Sequence, residues 1–266
     1  MIRNDGLKNS VPSLNTIASG LVSVASSSLA RKSSSLSSTP PSPLVQQSIR
    51  NAEAFCFDVD STVITTEGID ELASYKGCLE QVAALTRSAM GGQVPFRDAL
   101  SSRLSLINPS QNDMVDFLAK HPFVFTPGME SVIKTLQRRG VDVFLVSGGF
   151  TQMIIPIAKR LSIPVDRVYA NTILFDEKGA YRGFDLNAPT SKDGGKTDVI
   201  RNLRRTLGFK EVVMVGDGAT DLQARTSDAA TAFIGYGGLA ERKVVREGAD
   251  WYIHDLNVLD EQLKLS

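Results

Sequence analysis

Cysteine, histidine and tryptophan are scarce in this chain: 266 residues supply two, two and one of them. The histidines, His121 and His254, stand beside no serine or cysteine in a hydrolase-like string such as GxSxG. A histidine-dependent triad and a zinc site are therefore excluded on supply. Cys56 falls inside an apolar run and Cys78 has no CxxC partner, so both read as reduced, structural thiols of a reducing compartment. There is no excess of either charge, with 29 basic and 29 acidic residues. Nothing in that balance points to nucleic acid or to an anionic membrane surface, and a small partner fits better. Nor does any apolar run approach the length that spans a bilayer, which argues against an integral membrane pump.

What is present is enough apolar material, 42% of the residues, for one full domain plus an insertion or a second small domain. Residues 1 to about 48 stand apart in composition. They are rich in serine, carry Arg3, Lys8, Arg31 and Lys32 against the single acid Asp5, and end in the proline-rich stretch Thr39–Pro43. Such a segment buries too little surface to fold alone. We assign residues 1–50 to a disordered extension. Its profile suits an organelle transit peptide, most like a plastid one, or equally an untargeted tail that leaves the protein in the cytoplasm.

Beyond the tail, strands alternate with helices, the pattern of a parallel sheet covered on both faces. Helical patterns cover Ile69–Tyr75, Leu79–Met90, Pro95–Ile107 and Ser110–Lys120 without an intervening strand. They predict a helical insertion over residues 69–125, with the main domain in residues 51–68 and 126–266. Further on, Val141–Val146 reads as a strand and Gly149–Leu161 as a helix, strained by Pro156. Val168–Phe175 and Tyr181–Phe184 predict a small hairpin, and Leu239–Glu247 a helix.

The chemistry concentrates at strand ends. In FCFDVDST an apolar run stops at Asp58 and Asp60. Two like charges about 4 Å apart repel by about 4 kcal/mol at an effective dielectric of about 20. A hard cation such as Mg2+ would resolve that, since it takes carboxylate oxygens and leaves room for water and a phosphate. In EVVMVGDGATD a second β run ends at Asp217, and Asp221 follows at helical spacing. In an open parallel sheet such ends meet at the topological switch point. VFLVSGGF gives Ser147, Gly148 and Gly149 at a third strand end, a hydroxyl and free N–H groups for an anion or, taken alone, an ordinary turn. Lys196, after two glycines, either neutralises a phosphate or is a surface lysine. GGKT is not a P-loop, because that pattern needs glycine where Thr190 stands.

In that order, FDVDST, SGGF, GGK and GDGATD resemble the four motifs of the haloacid dehalogenase superfamily of phosphatases. DVDSTVITTEGIDELA, AMGGQVPF, RLSLI, GGKTDVI and GDGATDLQA narrow the resemblance, over residues 52–265, to the branch that acts on phosphoserine. It implies an α/β fold: a Rossmann-like parallel sheet with a helical-bundle cap insertion and a small β-hairpin insertion. It implies Mg2+-dependent hydrolysis of O-phosphoserine, the last step of the phosphorylated route to serine, through an aspartyl-phosphate. Asp58 would be the nucleophile and Asp60 the acid and base. Mg2+ would be held by the Asp58 carboxylate, the Asp60 carbonyl and Asp217, supported by Asp221. Ser147, Gly148, Gly149 and Lys196 would hold the phosphoryl oxygens. Glu67 would meet the substrate ammonium and Arg103 its carboxylate, with Met90, Gly91 and Thr220 lining the pocket. The partner implied is that small molecule, without nucleic acid or membrane, and a homodimer is left open. The rivals are a relative acting on another phosphorylated metabolite or second alcohol, and a receiver-type signalling module, which lacks an acid two residues after its nucleophile and has no large insertion there.

Overall fold

The computed structural model describes residues 39–89 and 94–265. The first helix is α1 (Pro43–Asn51), started by Pro43 at its first turn and by Ser42, whose hydroxyl accepts from Val45 N–H. Val45 and Ile49 on this helix are buried in the core. The Thr39 carbonyl accepts a 2.7 Å bond from Trp251 Nε1. The extension assigned from composition to residues 1–50 therefore ends earlier. Serine and proline counts hid two apolar residues spaced one helical turn apart, enough to dock a short helix. Residues 1–38 lie outside the described part.

Strand β1 (Ala54–Phe57) is followed by four helices, α2 (Gly68–Tyr75), α3 (Leu79–Ala89), α4 (Phe96–Ile107) and α5 (Gln111–Lys120). Then come α6 (Met129–Arg138), β2 (Asp142–Phe150), α7 (Thr151–Arg160), β3 (Val168–Asn171), β4 (Ile173–Phe175) and β5 (Tyr181–Phe184). The last third holds α8 (Gly195–Leu207), β6 (Val212–Gly216), α9 (Ala219–Thr226), β7 (Ala232–Tyr236), α10 (Lys243–Gly248), β8 (Trp251–Ile253) and α11 (Leu256–Lys264). Six strands form one parallel sheet in the order β3-β2-β1-β6-β7-β8.

Residue parity along these strands decides which helices cover which face. Phe55 and Phe57 of β1, Val143 and Leu145 of β2, and Val213 and Val215 of β6 pack on one side with α1, α6, α7 and α11. Their neighbours Ala54, Cys56, Phe144, Val146, Val212 and Met214 pack on the other with α8, α9 and Val245 of α10. A third cluster joins α2–α5 to Phe150, Met153 and the antiparallel β4/β5 pair through Ile173 and Phe184. The helical insertion thus shares a core with the hairpin.

Three expectations shift. The run 168–175 is split: Val168–Asn171 joins the main sheet and only Ile173–Phe175 pairs with Tyr181–Phe184. The Asn171 side chain ties down this break, donating to the Gly148 carbonyl and accepting from Thr190 Oγ1. Strand β2 runs on through the two glycines to Phe150, so α7 opens at Thr151. The helix expected from Leu239 opens only at Lys243, with Arg242 still extended at φ −105°, ψ 117°.

Helix α11 is fastened to α6 by a buried carboxylate. Asp260 accepts from Thr135 Oγ1 at 2.6 Å, Ser131 Oγ at 2.5 Å and Lys264 Nζ at 2.6 Å. Burial alone would raise its pKa, but the bonds from Lys264, Ser131 and Thr135 outweigh this and hold it below the ordinary 3.8. A group whose folded pKa is depressed stabilises the fold above its unfolded pKa and loses that contribution as pH falls through the folded value. Asp260→Ala should therefore destabilise the protein by about 2–3 kcal/mol at neutral pH, because the buried Thr135 hydroxyl and the half-buried Ser131 hydroxyl lose their acceptor. The difference from the parent should shrink below pH 4. Urea melts at pH 7 and pH 3 check both; equal loss at the two values would remove the carboxylate's charge from the account.

Candidate active site

The chain order reverses between β1 and β6, and the two acidic tips meet there. Asp58 directly follows β1, its N–H donating to the Val215 carbonyl at 2.9 Å. Asp217 directly follows β6. Asp221, in the first turn of α9, accepts from Gly218 N–H at 2.9 Å. One carboxylate oxygen from each of Asp58, Asp217 and Asp221 lies within 4.8 Å of the others, and all three residues are buried.

Two cations sit among them. Lys196 Nζ is 2.7 Å from Asp58 Oδ1 and 2.6 Å from Asp221 Oδ1. Burial would lower the lysine's pKa, but the two carboxylates outweigh it and the net direction is upward. The bend before Lys196 needs a glycine for space: a Cβ on Gly195 would stand 2.2 Å from the Pro189 carbonyl oxygen. Arg242 lies 3.0 Å from Asp217 Oδ2 and 3.9 Å from Glu67 Oε1.

Asp60 is held between the start of α2 and the end of β2. Its Oδ1 accepts from Gly68 N–H at 2.7 Å and its Oδ2 from Ser147 Oγ at 3.5 Å. Gly149 is packed so close that a Cβ there would approach Asp60 Oδ2 to 2.7 Å. Burial, then the charges of Glu67 and Asp58, push the Asp60 carboxyl up to about 7. A carboxylic acid in that range carries a proton at neutral pH often enough to give it away. Between the two aspartates and Glu67, Ser61 adopts φ +55°, a conformation few non-glycine residues take, and its hydroxyl donates to Glu67 Oε1 at 2.7 Å. The strained turn aims Glu67 toward the acidic floor.

Above the strand ends is a cavity of about 780 Å3. Asp58, Asp60, Lys196, Asp217, Gly148 and Gly149 line it, together with Glu67, Arg103 and Thr220. Arg103 is half-buried, its Nε donating to the Ala99 carbonyl one turn back on α4. Two expected residues do not line the cavity. Ser147 is fully buried and takes Gly149 N–H at 2.9 Å, and Asp221 lies behind Lys196. Met90 and Gly91 lie outside the described residues.

The donors suit a hard divalent cation. Five carboxyl groups, on Asp58, Asp60, Glu67, Asp217 and Asp221, face Lys196 and Arg242 at close range. Burial and the Asp58 charge raise the pKa of both Asp217 and Asp221, against Arg242 and Lys196 respectively. Such upward shifts mark a site short of positive charge, and all the donors offered are oxygens. Sequence reading missed Arg242. Its position inside an apparent helix from Leu239 concealed it.

The chain resembles known proteins over most of its length. The haloacid dehalogenase-like hydrolase family model matches residues 52–225. A curated phosphoserine phosphatase of Bos taurus is 50% identical over 205 residues, 77% of this chain and 90% of its own length. A chloroplastic phosphoserine phosphatase of Arabidopsis thaliana is 46% identical over 223 residues, 84% of this chain and 76% of its own. A solved structure described as a phospho-aspartyl intermediate analogue of phosphoserine phosphatase superposes with a TM-score of 0.67 at 28% identity, covering 79% of this chain and 98% of that one.

Proposed function

The chain belongs to the haloacid dehalogenase-like hydrolase family, and from that membership we propose that it is a phosphatase converting O-phosphoserine to serine and inorganic phosphate. The observation that carries the reading is the pairing of an acidic, lysine-bridged floor with Glu67 and Arg103 in the same cavity. A phosphate fits the floor, and a zwitterionic amino acid fits one anionic and one cationic group above it.

The residues divide the work as follows. Asp58, oriented by Val59 N–H and Lys196 on its Oδ1, attacks phosphorus, and the bond from phosphorus to the seryl oxygen breaks. Asp60 gives its proton to that departing oxygen, so serine leaves neutral at the hydroxyl. Asp60, now a carboxylate, takes a proton from water as the water oxygen attacks the phosphorus of the Asp58 acyl phosphate. Phosphate departs and the Asp58 carboxylate is restored. Lys196 and the N–H groups of the Ser147–Gly149 tip stabilise the phosphoryl oxygens where charge gathers. The Asp58 and Asp217 carboxylates and the Asp60 carbonyl, with Asp221 behind, would hold Mg2+, and that ion would supply positive charge to screen the phosphate from its nucleophile. Helices α2–α5 act as a lid that excludes water. Burial and then Asp58 and Asp217 push the Glu67 carboxyl up, against its bond from Ser61, so an arriving ammonium finds a carboxyl group that gains by ionising beside it.

Phosphate release from O-phosphoserine, O-phosphothreonine, phosphoethanolamine and a sugar phosphate tests the reading. The expected result is a kcat/KM on O-phosphoserine at least about 100-fold above that on phosphoethanolamine, which lacks the carboxylate, since a site built for a charged group rejects analogues without it strongly. Equal rates across the panel would overturn it in favour of a broad phosphatase. The basic, serine-rich leader and the chloroplastic relative support import into a plastid. A fluorescent fusion to residues 1–50 that stays in the cytosol would remove that part.

A further inference from the structure

Helix α4 carries Arg103 on its inner side, yet it opens at Pro95, which offers no side chain to cap its first N–H groups. The cap comes from across the cavity mouth: Phe96 N–H donates to Asp193 Oδ2 at 3.1 Å. The next residue grips the same loop. Arg97 Nη2 donates to the Leu186 carbonyl at 3.0 Å and to Ser191 Oγ at 3.0 Å, while its Nε reaches the Ser191 carbonyl at 3.4 Å. The Phe96 ring lies over Gly148, where a Cβ would come within 3.2 Å of its Cζ. Two consecutive residues of the lid thus touch both loops that cradle the phosphate site.

The loop they hold leads straight to the lysine. A short 3-10 turn, Pro189–Ser191, sits four residues before Gly195, whose Cα packs on the Pro189 carbonyl, and Lys196 follows. The seat of Arg97 is therefore continuous with the support of Lys196. A guanidinium suits this seat because its fixed fork serves several acceptors at once, which a lysine ammonium on a flexible stem does less well. All three acceptors are uncharged, so the grip depends on shape rather than on ion pairing.

We propose that Arg97, aided by the Asp193 cap on Phe96, is a positioning residue that latches α4 onto loop 186–193 and so couples lid closure to the placement of Lys196. The inference rests on the phosphatase reading above. It assigns Arg97 no contact with the substrate. Its effect is to hold Arg103 and Lys196 at a fixed separation, the length of the ligand they bind together.

The test compares Arg97→Ala, Arg97→Lys and Asp193→Ala with the unaltered chain on O-phosphoserine. Loss of the three hydrogen bonds that Arg97 makes to loop 186–193 should lower kcat/KM about ten-fold or more in Arg97→Ala, chiefly through KM. Arg97→Lys should recover part of this. Hydrolysis of ethyl phosphate, which uses Lys196 but has no charged group for Arg103 to bind, should fall markedly less than that of O-phosphoserine. Amide exchange in residues 96–107 and 186–193 should quicken together in the ligand-free Arg97→Ala protein. Unchanged kcat/KM on O-phosphoserine with unchanged exchange would overturn the latch. So would an equal loss on both esters, which marks a merely structural residue. If the unaltered chain leaves O-phosphoserine intact, the functional reading fails separately, and the latch is judged by the exchange of the two segments: coupled quickening retains it, and independent behaviour removes it.

Discussion

Asp58→Asn should reduce kcat on O-phosphoserine by at least about 10^3-fold, the scale expected when a covalent nucleophile is removed. Asparagine keeps the shape of the side chain, including an oxygen that can accept from Val59 N–H and Lys196, so the loss reports chemistry rather than collapse. The variant should fold at least as well as the parent. Lys196 keeps Asp221 at 2.6 Å, and one of several crowded negative charges is gone. The Asp60 carboxyl should move down from about 7, since Asp58 is one of the charges that push it up. Acid-quenched single-turnover mixtures give an independent readout: the parent accumulates a base-labile phosphoenzyme and the variant none. A residual rate within ten-fold of the parent, or an undiminished phosphoenzyme, would take Asp58 out of the nucleophile's role.

How much of this was readable in the chain varies by residue, and the reasons are physical. Asp58 and Asp217 were legible because a buried strand tolerates no charge until it ends, so an apolar run cut off by aspartate marks a tip pointing out of the sheet. The convergence of the two tips needed only parallel pairing of β1 with β6. Ser147 and Lys196 were ambiguous alone, since any strand end or glycine pair offers similar groups. What distinguishes them is burial, and burial is a property of what packs around them. Arg242 was invisible because local pattern favours a helix from Leu239, while its pairing with Asp217 across 25 residues keeps the backbone extended. The same conflict split the expected hairpin at Asn171, whose amide serves Gly148 and Thr190, residues remote in sequence. The errors thus fall where a long-range polar contact overrides local preference.

Removal of divalent metal is the second large effect expected. EDTA should lower phosphate release at least about 100-fold, and Mg2+ should restore it, because the screening charge between two anions has no substitute of equal size in the chain. Lys196 is committed to Asp58 and Asp221, and Arg242 to Asp217. The acidic cluster gives a second readout that does not depend on turnover. An ion that binds only the folded chain stabilises it by about 2.7 kcal/mol at 100 times its Kd. Mg2+ should therefore raise the melting temperature of the chelated protein, and raise it less in Asp217→Asn, where one of the three clustered carboxylates is replaced by a neutral amide. That variant should also need more Mg2+ for half-maximal rate. Activity indifferent to chelation would dismiss the metal from the reaction. A melting temperature unmoved by Mg2+ in the parent would dismiss the acidic cluster as its seat, whatever the rate does.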